Sequence, residues 1–238
     1  MMKRILGAMA IALAATVFGT FSAAAALLGP TKPYLSQADS PFFPFAGFTY
    51  FHLETFEDHF FNVPGVTASA PACVTSVCFG PAIHDSVDAD DGVIDGSGLL
   101  GDSMFSSSGN ILFTFNAGIL GALPTAAGIV WTDGGGTVTF EAFDALGASL
   151  GTITGCIPNG SVSGETAEDC FHGVTNSGGI SAIRISNPAG LEVDHLQYGL
   201  RSETPNGNDV PVPEPATLAL LGIGLLGLGA ARRKRQAA

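Results

Sequence analysis

The sequence predicts an all-β protein, a single β-sandwich flanked by an N-terminal signal peptide and a C-terminal transmembrane helix. Three observations predict it. The 238 residues include 32 Gly and 14 Pro and are 46% apolar, a balance that suits short strands and many turns around one core. Several segments alternate apolar and polar residues between turn signals. Between the two ends, no long stretch repeats its apolar residues at the helical spacing of 3.6.

Residues 1–26 have the layout of a signal peptide. Lys3 and Arg4 are positive, Ile5 to Phe21 is apolar, and Ser22-Ala23-Ala24 and Ala24-Ala25-Ala26 offer small residues for signal peptidase. No Arg-Arg pair precedes the apolar run, which points to the general secretion machinery. Residues 27–50, with Pro30, Pro33, Pro41 and Pro44, read as irregular. The sandwich is expected over 51–201. Its clearest strands are Ile111–Phe115, Gly128–Thr132, Thr137–Phe143, Ser149–Thr154, Phe171–Thr175, Ile180–Ser186 and Glu192–Tyr198. Asp144-Ala145-Leu146-Gly147 is the turn between the third and fourth of these. Residues 202–211 form a polar linker rich in Pro, Asn and Asp.

Val212-Pro213-Glu214-Pro215 then forms a rigid, extended handle. An apolar run, 216–231, follows and ends in Arg232-Arg233-Lys234-Arg235. As a helix the run spans roughly 24 Å, a weak stop-transfer span whose basic end stays cytoplasmic. Together, residues 212–238 resemble the PEP-CTERM sorting signal, with its Pro-Glu-Pro box, Gly/Leu-rich span and basic tail. A segment of this kind also goes by the label ice-binding protein C-terminal domain, which describes the tag and not ice chemistry. The resemblance implies an inner-membrane intermediate, recognition of the box by an exosortase, and delivery to the cell surface or beyond in a bacterium that makes extracellular polysaccharide.

The hairpin from Phe140 to Ile153, then Ile180 to Ser186, then Glu192 to Gly199 resemble, in that order, the jelly-roll sandwiches of carbohydrate-binding modules and galactose-binding-like domains. This resemblance implies a jelly-roll-like fold. It also implies a structural Ca²⁺ shared by an early acidic pair, Glu57 and Asp58, and an acid on the final strand, Asp194.

Charge and cysteines narrow the function class. Between the basic ends of the chain, Lys3-Arg4 and Arg232 to Arg235, all 21 acids (Asp39 to Glu214) stand against only Lys32, Arg184 and Arg201. Such a surface repels phosphate backbones and excludes nucleic acid as a partner. Cys73, Cys78, Cys156 and Cys170 are even in number and suit two disulfides in an oxidising compartment. Local pairing, Cys73–Cys78 and Cys156–Cys170, is the choice among three connectivities; the spacings do not fit common zinc sites.

Four candidate sites stand out. The loop carrying Asp85, Asp88, Asp90, Asp91 and Asp95 with Gly92 and Gly96 offers the oxygens Ca²⁺ prefers. It departs from the usual loop, because Asp90 and Asp91 are adjacent and no Glu closes it, so a solvated acidic turn is the alternative. Glu57, Asp58 and Asp194 form the second set. Trp131 beside Asp133 could stack on a sugar and accept its hydroxyl bonds, or could simply be a core Trp. Gly101-Asp102-Ser103 resembles a hydrolase nucleophile block, but the chain lacks the partner motif and any Gly-x-Ser-x-Gly elbow. The leading expectation is a non-enzymatic surface or matrix protein that contacts extracellular polysaccharide, with Ca²⁺ as the one cofactor. A purely structural role and a glycan-acting hydrolase are the rivals. If the box is the sorting element, Glu214→Ala traps the tagged form in the membrane; an immunoblot of membrane and extracellular fractions that shows normal release refutes that role.

Overall fold

In a computed structural model, residues 25–80, 85–158 and 164–202 are described; the signal peptide and the sorting segment lie outside them. The chain divides into two compact units, Met1–Arg201 and Ser202–Ala238. The first is the expected two-sheet sandwich. Sheet A runs in the order β1 (Ala26–Thr31), β10 (Cys170–Thr175), β7 (Ala126–Gly135), β12 (Ala189–Arg201), β5 (Met104–Ser106), β4 (Cys73–Val74), with β2 (Phe48–Glu54) also paired to β12. Sheet B runs β3 (Val66–Ala68), β6 (Asn110–Phe115), β11 (Ile180–Ser186), β8 (Val138–Asp144), β9 (Ser149–Gly155). Every pairing is antiparallel. From β6 onward, consecutive strands cross repeatedly between the sheets, the jelly-roll-like pattern expected.

The alternation read in the sequence sets the core. Val138, Phe140 and Ala142 of β8 and Ile111, Phe113 and Phe115 of β6 face inward from sheet B. Trp131, Ile129, Val193 and Leu196 face them from sheet A. The hairpin turn is as predicted: Gly147 takes φ 81, and Asp144 Oδ1 accepts from the Leu146 and Ala148 amides. Both local disulfides form, Cys73–Cys78 and Cys156–Cys170.

Two expectations change. Residues 27–50 are not irregular throughout: β1 edges sheet A, and Tyr34 and Phe42 enter a second buried cluster with Val87, Ala126, Val130 and Phe171. The sandwich therefore begins at Ala26, not 51. The physical reason lies in sheet A, whose outer face also carries apolar residues, Ala126, Val130 and Phe171, that must be covered. Two helices of one turn also appear, α1 (Thr75–Phe79) and α2 (Ala117–Leu120). Among the described residues no helix is long and apolar enough to cross a membrane; the expected span at 216–231 lies outside them.

His172 on β10 is fully buried, its ring 6.1 Å from that of Phe140, and neither ring nitrogen has a partner. Burial lowers its pKa to about 4. The unfolded chain takes up a proton near pH 6.5 that the folded chain refuses until about pH 4, so this residue removes stability as pH falls across that window. His172→Phe is expected to flatten the acid side of the stability curve, by about 3 kcal/mol relative to the natural chain between pH 6.5 and 4. Urea unfolding at several pH values measures it; parallel curves refute the assignment.

Candidate functional site

The site is built on β12. This strand pairs with β7 along one edge, while its other edge is divided between β5 at Leu191–Val193 and β2 at Leu196–Arg201. The register with β7 slips between Asp194 and Gln197, and His195 takes φ 46. An extra residue at this bulge lets Asp194 and His195 both turn outward, while Val193 and Leu196 on either side stay in the core.

A loop, 85–101, roofs the outward face. Its glycines allow close approach: a Cβ at Gly98 would lie 1.9 Å from the Ser86 carbonyl oxygen. Val87 N–H donates to Asp194 Oδ2 at 2.9 Å, and His195 N–H donates to Asp194 Oδ1 at 2.5 Å. Burial and the nearby charge of Asp90 push the Asp194 carboxyl well above the usual range.

A polar chain crosses beneath the roof. Ser40 Oγ donates to Gln197 Oε1 (2.5 Å), and Gln197 Nε2 donates to the Tyr34 hydroxyl (2.8 Å). Burial raises the Tyr34 pKa far above its usual value, so the hydroxyl keeps its proton and directs it at His195 Nδ1 (3.0 Å). The other ring nitrogen, Nε2, then carries the imidazole proton and donates it to Asp90 Oδ2 (2.9 Å). Asp90, Asp194 and His195 are the one trio among the described residues whose metal-ligating atoms lie within 4.8 Å of one another. Each already has a protein partner.

Asp90 and Asp194 came from different sequence-predicted sets, and the fold unites them. Glu57 is close enough for its charge to act on Asp194, though its Oε1 accepts the Asp102 amide at 2.6 Å. The other predicted ligands go elsewhere. Asp88 is buried and accepts from the Asp95 and Gly96 amides and Thr166 Oγ1, so it holds the loop's own turn. Asp91 caps the Val93 amide and Asp58 the Phe60 amide. Asp95 points into solvent.

Trp131 does not bind sugar: it is fully buried between the sheets, because inward alternation on a central strand places its large apolar ring in the core. Asp133 is 7% exposed and equally unavailable. It instead joins a second group of acids that the sequence reading did not assemble. Asp133 lies opposite Glu192 in register. Asp85 N–H donates to Glu192 Oε1 at 3.1 Å, and Glu168 and Asp169 complete the group at the start of β10. Burial, with the charges of Glu192, Asp133 and Glu168, raises Asp85 to about 9. Burial raises Glu192 to about 7 and Asp169 well above its ordinary value. The sequence signal was available in one place only, the Glu192-x-Asp194 alternation around the apolar Val193.

Asp102, from the Gly-Asp-Ser block, hydrogen-bonds with His59 and accepts from Ser76 Oγ. The Asp102 carboxylate and Ser76 Oγ both approach the same imidazole nitrogen, Nδ1. A relay triad places the two partners on opposite nitrogens. Ser103 Oγ is bonded to Glu192.

Residues 211–235 match the model of the PEP-CTERM protein-sorting motif, so the chain carries the export and surface-sorting tag read in its sequence. No curated protein matches. Among solved structures, a xylan-binding domain from carbohydrate-binding module family 22, formerly called an x6b domain, aligns at 16% identity over 66% of this chain and 97% of its own, with a TM-score of 0.32. At that score the likeness bears neither on the fold nor on the ligand.

The polar chain predicts its own test. Tyr34→Phe removes the donor to His195 and the acceptor for Gln197 together, leaving buried polar atoms unpaired. A loss of about 1–3 kcal/mol in urea unfolding is expected; a neutral result means the chain is not a structural element.

Proposed function

We propose that the sorted protein is a non-catalytic surface component that holds an uncharged polysaccharide chain on the open side of sheet B. The observation that carries this reading is a pocket of about 480 Å³ at the β3–β6 edge whose lining includes no ionisable side chain. Its volume suits a short stretch of sugars. Thr67 and Thr114 stand opposite each other on β3 and β6 and are exposed. Asn116 and Ser181 add polar atoms, and Ile119, 66% exposed, offers an apolar surface for the face of a sugar ring. A chain of net charge −12 repels an anionic polymer, and a neutral one meets no such barrier.

The same arrangement supports a binding role over hydrolysis. Glycosidic cleavage uses two carboxyl groups roughly 5–9 Å apart flanking the bond. The acid on the outer side of β8, Glu141, is paired to Arg184 at 3.1 Å, and the buried acids belong to the opposite sheet. Ca²⁺, where it acts, is then structural rather than a sugar ligand.

Affinity electrophoresis of the full-length protein in non-ionic detergent, through gels containing the producer's neutral extracellular polysaccharide, tests this. Retardation is expected for the natural chain. Thr114→Arg, an exposed substitution that leaves stability within about 0.5 kcal/mol, is expected to weaken binding at least tenfold. Unretarded natural protein, or equal retardation of both, overturns the reading in favour of a structural protein without a glycan ligand.

A further inference from the structure

Five oxygen atoms beneath the roof of sheet A are buried and have no hydrogen-bond partner: both carboxylate oxygens of Asp85, both of Asp169, and Thr132 Oγ1. Asp85 is 2% exposed, and Asp169 and Thr132 are fully buried. Native proteins leave few such atoms, and each calls for an account. These share one place in the fold. The register sets Cys170 opposite Trp131, so the residues before and after, Asp169 and Thr132, are neighbours across β10 and β7. Asp133 follows on β7 and faces Glu192 on β12, whose carboxylate takes the Asp85 amide. Among the described residues no Lys or Arg forms an ion pair with this group; Lys32 acts only at a distance, on Glu168.

Positive charge is what the group lacks, and its atoms specify the kind. Every donor is oxygen, without sulfur or imidazole, which selects a hard cation. Five unpartnered oxygens with two further carboxylates beside them suit the six to eight ligands and irregular shell of Ca²⁺ better than the strict octahedron of Mg²⁺. We propose that Asp85, Asp169 and Thr132, with Asp133 and Glu192, form a Ca²⁺ site that staples the 85–101 loop to β7, β10 and β12. It is distinct from the Asp90–Asp194–His195 trio, whose ligand atoms already have protein partners. No three acids of the group have oxygens within 4.8 Å of one another, so the shell closes by side-chain rotation onto the ion. This site is structural and independent of the sugar groove.

The experiment is Ca²⁺ titration of the chelator-treated full-length protein in detergent, followed by calorimetry and by thermal unfolding. Saturable binding and a rise in Tm of several degrees are expected. Asp169→Asn and Asp85→Asn are expected to abolish both, while Asp90→Asn keeps them. Should an Asn variant fail to fold, Tb³⁺ luminescence of the natural protein gives the second reading. Trp131, adjacent to Thr132 in sequence, is the single Trp and is expected to sensitise bound Tb³⁺, with emission quenched by competing Ca²⁺. No heat, no Tm change and no sensitised emission overturn the site, leaving neutral, protonated acids in its place. Loss of the Ca²⁺ effect in Asp90→Asn alone moves the ion to the other trio and overturns the assignment.

Discussion

The outer layer of this protein depends on one bulge, at Asp194–His195 in β12. A central strand paired on both edges and buried on both faces would ordinarily be apolar throughout. Here the left-handed residue His195 breaks the alternation and turns two polar side chains into the same buried layer. Holding a non-glycine residue at positive φ costs roughly 1–2 kcal/mol. That cost is offset because both Asp194 oxygens and both His195 nitrogens find partners: Val87, the His195 amide, Tyr34 and Asp90. Those partners come from the N-terminal segment and the 85–101 loop, so the bulge fixes two otherwise loop-like stretches on the sheet.

The same layer accumulates negative charge next to this satisfied network. Like charges about 5 Å apart repel by roughly 3 kcal/mol at an effective dielectric of about 20, and burial adds a desolvation cost for each charged carboxylate. The contrast between neighbours is informative. Asp88 and Asp194 have traded hydration for backbone amides. Asp85 and Asp169 have traded it for nothing within the protein. A fold can hold such groups only as neutral acids or around a cation. A calcium ion resolves the repulsion and the missing partners together, and extracellular modules need only the weak affinities that calcium supports outside the cell.

Legibility in the sequence followed local rules. The strands β6 to β12 were readable because each carries its own alternation or turn: Val138, Phe140 and Ala142, or Asp144 through Gly147. β1, and the burial of Tyr34 and Phe42, were not, because Pro-rich sequence hides them and the partners that bury them, Val87, Ala126, Val130 and the β10 residues, are far away in sequence. The candidate metal residues divided in the same manner. Asp88, Asp91 and Asp95 look like a ligand string along the chain, yet a string alone cannot distinguish carboxylates that bind an ion from those that cap their own turn. Asp169 stood in no motif, and only the β10–β7 register brings it beside Thr132. Trp131 was ambiguous for a different reason: stacking platform and core anchor use the same residue, and burial decides between them.

The two faces of the sandwich then divide the work in a way the sorting tag makes intelligible. Export takes the chain into an oxidising compartment, where disulfides form and persist. Two short-range disulfides tie the loops at Cys73–Cys78 and Cys156–Cys170, and the second joins the end of β9 to the start of β10, immediately after Asp169. An acid cage at that position, clamped by an ion, would lock the outer layer of sheet A to the strand the disulfide already holds. Sheet B is left with its outer side open, its one outward acid of β8 neutralised by Arg184, and a neutral pocket at its edge. On the readings proposed above, a bound ion would stiffen the sealed, acidic layer of sheet A, while a sugar would meet only the neutral pocket of sheet B, so the layer holding the ion would not be the one touching the ligand.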